Sequence, residues 1–152
     1  MAYRNAENYL KEEHPKLFNY IDSRFTSTLS LAMTLANTWY SLSDASWTQP
    51  KKNGFTGDAN GLITYTGLPG NFSTTVFTEI KIYGADIFHV GLFINGVLAS
   101  DDFKAILTTD KTRVIHKATI EALSTDDEID IRMKSINNPQ TIGVLSCKVL
   151  IT

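Results

Sequence analysis

Cysteine is nearly absent from this chain: Cys147 is the single one in 152 residues, so no disulfide can form within it. Flanked by Leu145 and Val149, it reads as a small buried hydrophobe, the commoner fate of a lone cysteine. Long apolar runs are missing too. The most apolar stretch, Ile87 to Ala99, includes His89 and Asn95 and is too short to span a bilayer. The opening segment, MAYRNAENYLKEEHP, is too polar for a signal peptide, so a soluble protein made in a reducing cytoplasm is expected. No charge of one sign accumulates. Fourteen Lys and Arg against sixteen Asp and Glu give a net charge of −2, without a basic run to track a phosphate backbone. Nucleic acid and membrane are therefore not expected as partners.

Catalytic signatures are equally scarce. There is no Gly-x-Ser-x-Gly, no glycine-rich phosphate loop and no Cys-His pairing. Paired carboxylates from distant strands remain the residual catalytic reading, with short loops leaving little room for a cleft. His14, His89 and His116 show no i,i+4 spacing and are expected to be structural or interface residues rather than ligands. Asp126, Asp127, Glu128 and Asp130 read as a turn followed by the solvated face of a strand, not a calcium site. Asp58 to Gly61 resembles a fragment of a calcium loop but lacks its remaining ligands, and reads as a turn. No metal, no cofactor and no enzymatic activity are expected.

What is present divides the chain in two. Residues 1–25 are free of glycine and rich in helix formers, with Pro15 interrupting them. They predict a helical arm: one helix over Ala2–Glu13 and a second over Pro15–Arg24, since proline suits a first helical turn. Leu17, Tyr20, Ile21 and Phe25 fall on one stripe at helical spacing and are the anchoring candidates of that arm.

Residues 26–152 read as β structure. Leu29, Leu31, Met33 and Leu35 alternate on one face of a strand, and Thr38–Tyr40 begins another short one. Ser41–Asn53, with Pro50, reads mostly as loop, with Trp47 as a packing anchor. From Phe55 onward short strands recur between turn signals, the pattern of a sandwich or barrel. Val76, Ile80 and Ile82 share one strand face, and Ile129, Ile131 and Met133 share another. Val114, His116, Ala118 and Ile120 also alternate, which places His116 on an inward-looking face. Asn95-Gly96 is the strongest local signal, because a type I′ turn needs positive φ at both central residues. About eight strands follow without crossover helices, so the sheets should be antiparallel.

One strand stands apart. In Ile87–Ile94, Phe88, Val90, Leu92 and Ile94 take one face while Ile87 and Phe93 take the other. A solvated antiparallel sheet shows polar residues on its outer face. Something is therefore expected to cover that face, either a neighbouring subunit or the N-terminal segment. Ile87, His89 and Phe93 are the candidate subunit contacts.

The order of motifs resembles a known family. Gly54-Phe-Thr-Gly-Asp-Ala-Asn-Gly-Leu-Ile-Thr-Tyr-Thr-Gly67 is similar to the entry segment of the tumour-necrosis-factor-like jelly rolls of phage and viral surface proteins. Phe93-Ile-Asn-Gly96 resembles their central hairpin. Ile120 to Ile131 and Asn137-Asn-Pro through Val149-Leu-Ile151 resemble their later turns and final strand. Asp127-Glu128 departs from the more usual glycine-aspartate. The similarity covers residues 55–152. It implies an all-β, antiparallel jelly-roll sandwich, carried here behind a short N-terminal helical arm. It also implies a homotrimer with one sheet of each subunit facing the axis, placed on a virion surface as head decoration, fibre or tail component. Its partners would be copies of itself and the major capsid or other virion proteins. The alternative is a carbohydrate- or receptor-binding tip module, with Tyr40, Trp47 and Phe72 as aromatics facing a glycan.

Overall fold

Alternation, rather than helix propensity, sets the course of the chain from its first described residues. The computed structural model describes residues 19–99, 103–107 and 112–152. Ile21, Ser23 and Phe25 alternate with Asp22 and Arg24, and the segment forms β1 (Tyr20–Phe25). It pairs antiparallel with the final strand, from Ile21↔Ile151 to Phe25↔Cys147. The helix expected over Pro15–Arg24 is thereby corrected from residue 20 on. Its apolar residues fit a period of two as well as the helical stripe, and pairing on both flanks decides for a strand. The boundary at residue 25 moves with it: Ile21 and Phe25 are core side chains of the β body, not anchors of an arm. Leu17 and the first expected helix lie outside the described residues.

Among the described residues, thirteen strands make two antiparallel sheets and there is no helix. After β1 come β2 (Leu29–Met33), β3 (Tyr40–Ser41), β4 (Thr48–Asn53), β5 (Phe55–Gly57), β6 (Ile63–Tyr65) and β7 (Gly70–Lys81). Then follow β8 (Asp86–Ile94), β9 (Val97–Leu98), β10 (Phe103–Leu107), β11 (Thr112–Leu123), β12 (Glu128–Ser135) and β13 (Gln140–Ile151). The first sheet runs β11-β7-β13-β1-β4, with β2 paired to β13 beside β1. The second runs β10-β8-β12-β6-β5, with β3 on β12 and β9 on β8. This is a jelly-roll sandwich.

The core lies between the sheets. Phe25, Phe72, Val76, Ile80, Val144 and Val149 enter from the first sheet, and Phe88, Val90, Ile131 and Met133 from the second. A register shift between Val144 and Ser146 in β13 flips the side-chain parity, so both Ile142/Val144 and Cys147/Val149/Ile151 point inward. The segment expected as loop, Ser41–Asn53, contains an edge strand. Pro50 lies where β4 slips register against β1, between Asp22↔Lys51 and Arg24↔Thr48. Proline lacks a ladder donor, and a bulge on an edge strand tolerates it. Asn95 and Gly96 adopt φ of 51° and 76°, closing the β8–β9 hairpin as a type I′ turn requires. Leu35 departs from the expected face because β2 ends at Met33, leaving it exposed.

Candidate interaction surface

The outward face of the first sheet is built where β11 pairs with β7. In β11 the exposed positions are Thr112, Val114, His116, Ala118, Ile120 and Ala122, while Ile115, Glu121 and Leu123 are buried. This corrects the inward orientation expected for Val114, His116 and Ala118. Both parities of the strand carry apolar residues, so the period could not choose between them, and the register on β7 does: Ile115 opposes Thr78 and His116 opposes Phe77. The result is an inverted strand. Its solvent side carries Val114 at 63% and Ile120 at 75% exposure, while its core side takes in Glu121, held by a hydrogen bond from Thr119. An outer strand of a solvated sheet shows the opposite pattern.

Cross-strand rows extend this face. His116 stacks on Phe77 with ring centroids 4.3 Å apart and planes at 14°, and Phe77 in turn lies opposite Lys148 and, one strand further, Arg24. The next row runs Ala118, Thr75, Leu150 and Asp22. Lys148 pairs with Asp22 at 3.4 Å, and the second Asp22 oxygen is buried without a hydrogen-bond partner. The face thus grades from apolar on β11, through the single aromatic Phe77 among polar and charged positions of β7, to mixed charge on β13 and β1.

The outward face of the second sheet is clad by its own chain. Trp39 meets Phe93 edge-on at 5.2 Å, Arg132 sits 4.3 Å over the Phe93 ring, and Lys134 sits 4.5 Å over Trp39. Arg132 is held by Asp130 at 2.7 Å. Gly91 makes room for this layer, since a Cβ there would lie 2.7 Å from Leu98 and 2.9 Å from Trp39. The apolar outer side of β8 is therefore covered by the β2–β3 connection and by Leu98. Of the three candidate contacts on it, Phe93 is buried, and Ile87 and His89 are half-buried. Sequence patterning missed Trp39, Arg132 and Lys134 as the cover; Arg132 and Lys134 alternating with apolar residues on β12 were the available signal.

Of the three aromatics expected to face a ligand, Trp47 and Phe72 are buried inside the fold. Trp47 is buried edge-on against Phe25 at 4.9 Å, and its indole N–H donates to the Leu42 carbonyl at 3.0 Å. Phe72 is buried in a cluster with Phe55 and Tyr65. Tyr40 is half-buried, and its hydroxyl accepts from the Leu35 amide at 2.8 Å. Tyr20 is the one described member of the arm set that reaches solvent.

The acidic groups serve local structure. The Asp58 carboxylate accepts from the amides of Asn60 and Leu62, which closes the turn before β6. Asp127 accepts from the Asn95 side chain and the Ser124 amide, tying two loop tips together. Asp86, missed by sequence reasoning, is the most heavily used carboxylate among the described residues. It is buried, and accepts from the amides of Ile87, Asn137 and Asn138 and from the side chains of Ser135, Asn137 and Gln140. Burial opposes its charge, but these hydrogen bonds, Ser135 foremost, hold its carboxyl below the ordinary value. Burial pushes the Cys147 thiol up to about 12 against a hydrogen bond with Thr78, which keeps it from acting as a nucleophile. Burial likewise raises the Tyr65 phenol, against a hydrogen bond from Asn19. Among the described residues no group of three or more His, Cys, Asp or Glu is arranged to hold a metal.

No protein-family model and no curated protein sequence matches the chain. Solved structures match it in shape. A murine APRIL structure superposes with a TM-score of 0.60 at 8% identity, over 88% of this chain and 98% of that one. Eiger TNF from S. frugiperda gives 0.57 at 11% identity, over 88% and 92%. The globular domain of zebrafish complement 1qA protein gives 0.54 at 11%, over 87% and 94%. The chain has the jelly-roll fold shared by these tumour-necrosis-factor and C1q-like proteins. At such identities the similarity concerns fold.

Proposed function

We propose that this chain is a non-catalytic assembly module that forms a homotrimer through the outward face of its first sheet and serves as a structural component on a virion surface. The inverted amphipathicity of β11 carries the self-association reading. Val114 and Ile120 face solvent while Glu121 is buried, an arrangement that a second protein surface makes favourable. Covering one such side chain favours association by roughly 1.5–3 kcal/mol. A second copy is the fitting occupant, because the flank of the face mixes Asp22 and Glu79 with Arg24 and Lys148 and so presents both signs to itself. The threefold symmetry and the virion setting are supported by the order of jelly-roll motifs from Gly54 to Ile151. The glycan-binding alternative loses Trp47 and Phe72 to the core, and no described feature favours it.

Sedimentation equilibrium of the full chain at micromolar concentration should return the mass of three chains, and a strict monomer would overturn the self-association reading. Mass spectrometry and immunolabelling of purified particles test the setting. Absence of the chain from particles would remove the virion role while leaving the trimer standing.

A further inference from the structure

We infer that His116 makes self-association through this face sensitive to pH, with the assembly formed at neutral pH and released on acidification. The inference rests on the proposed self-association through the first sheet. His116 is the titratable side chain on the exposed parity of β11, bracketed by Val114, Ala118 and Ile120. Its ring lies flat on Phe77, the one aromatic that β7 presents on this face. A covering copy would remove water from that stack. A neutral imidazole tolerates the transfer as an aromatic surface does, whereas an imidazolium loses its hydration.

The charged groups around it do not supply a compensating partner. On β7, Glu79 stands opposite Val114 and so is diagonal to His116, and no ion pair joins the two; Lys81 lies one outward position further along. On β13, Lys148 lies beyond Phe77 and is already engaged by Asp22. Arg24 of β1 follows it in the same row. On β11 itself the flanking exposed residues are uncharged. β10, in the other sheet, contributes Lys104 to its strand. Among the described residues, the charges nearest His116 are thus three cations, Lys81, Lys148 and Arg24, and one diagonal acid, Glu79.

The sign follows from this environment. Burial in the assembly favours the neutral ring, so the assembly binds its proton less readily than the free chain does. Association is therefore at full strength at neutral pH and weakens on acidification.

Sedimentation equilibrium of the full chain at pH 7.5 and pH 5.5 tests this. The dissociation constant should rise about tenfold or more at the lower pH. His116→Phe should associate at both values and lose the response, and His116→Gln should lose it too, while His89→Gln and His14→Gln should keep it. An associated wild type whose constant is the same at both values would overturn the inference and leave the self-association reading intact. So would a response that survives in both His116 variants. A chain that is monomeric at pH 7.5 would overturn the underlying reading, and the inference with it.

Discussion

The two outer faces of this sandwich began from the same problem and reached different solutions. Each carries large apolar side chains where a solvated sheet would place polar ones. On the second sheet, the chain folds Trp39 and Leu98 over Gly91 and Phe93 and pins them with Arg132 and Lys134. On the first, Val114, Phe77 and Ile120 stay bare. Apolar patterning alone therefore does not mark an interface. The informative feature is an apolar strand face that its own chain leaves uncovered.

The largest expected effect falls on Asp86, which starts the strand beneath the clad face and ties it to the β12–β13 turn. Asp86→Ala strands several buried donors and should cost about 3 kcal/mol or more in urea denaturation. Because its carboxyl titrates below the ordinary value of 3.8, the stability it adds is present above that pH. That contribution is lost as pH falls through the lower, folded-state value, so wild type should lose its advantage over Asp86→Asn only in strong acid. An advantage that faded already near pH 6 would assign the acid response to another group.

How much of this was legible in the sequence depends on whether one period or two could be written on a segment. In β12, Ile129, Ile131 and Met133 alternate with charged residues, so a single face was available and the strand was readable. Asn95-Gly96 was readable because its backbone geometry is local. Tyr20–Phe25 fits both the helical and the extended period, and only pairing with Ile151 and Asn53, far away in sequence, resolves it. In β11 both parities are partly apolar, which hid the orientation of His116 until its partner on β7 was known. Asp86 gave no signal, since its six donors come mostly from a turn about fifty residues later. The bare face, on which the proposed assembly rests, lay in the segment whose parity the sequence leaves open.

Exchanging the character of the two faces should separate their roles. Phe77→Asp removes the cross-strand stack on His116 and should cost the monomer no more than about 1 kcal/mol. It should weaken association by roughly a hundredfold, as loss of an aromatic interface anchor does. If sedimentation showed unchanged association, the bare face would not be the contact. Trp39→Ala should do the reverse, costing roughly 2 kcal/mol of stability through lost packing and lost cation–π contacts while leaving association intact. A variant that instead dissociated without losing stability would invert the comparison. The smallest effect is expected at Gly96, whose added Cβ would meet open space. Gly96→Ala should cost about 1 kcal/mol from the left-handed backbone alone.

The placement of β13 carries a kinetic consequence. It is the last strand in chain order, yet it lies in the interior of the first sheet, with β7 on one side and β1 and β2 on the other. Until it arrives, β1 and β2 have no strand joining them to β7, and β7 offers an open edge with apolar residues behind it. Closing pairs such as Ile21↔Ile151 must also overcome the entropy of nearly the whole intervening chain. Such topologies fold on the order of milliseconds to seconds. During synthesis, strands made early would wait longest for the partner that completes their sheet, and in that interval the chain is most exposed to pairing with the wrong neighbour.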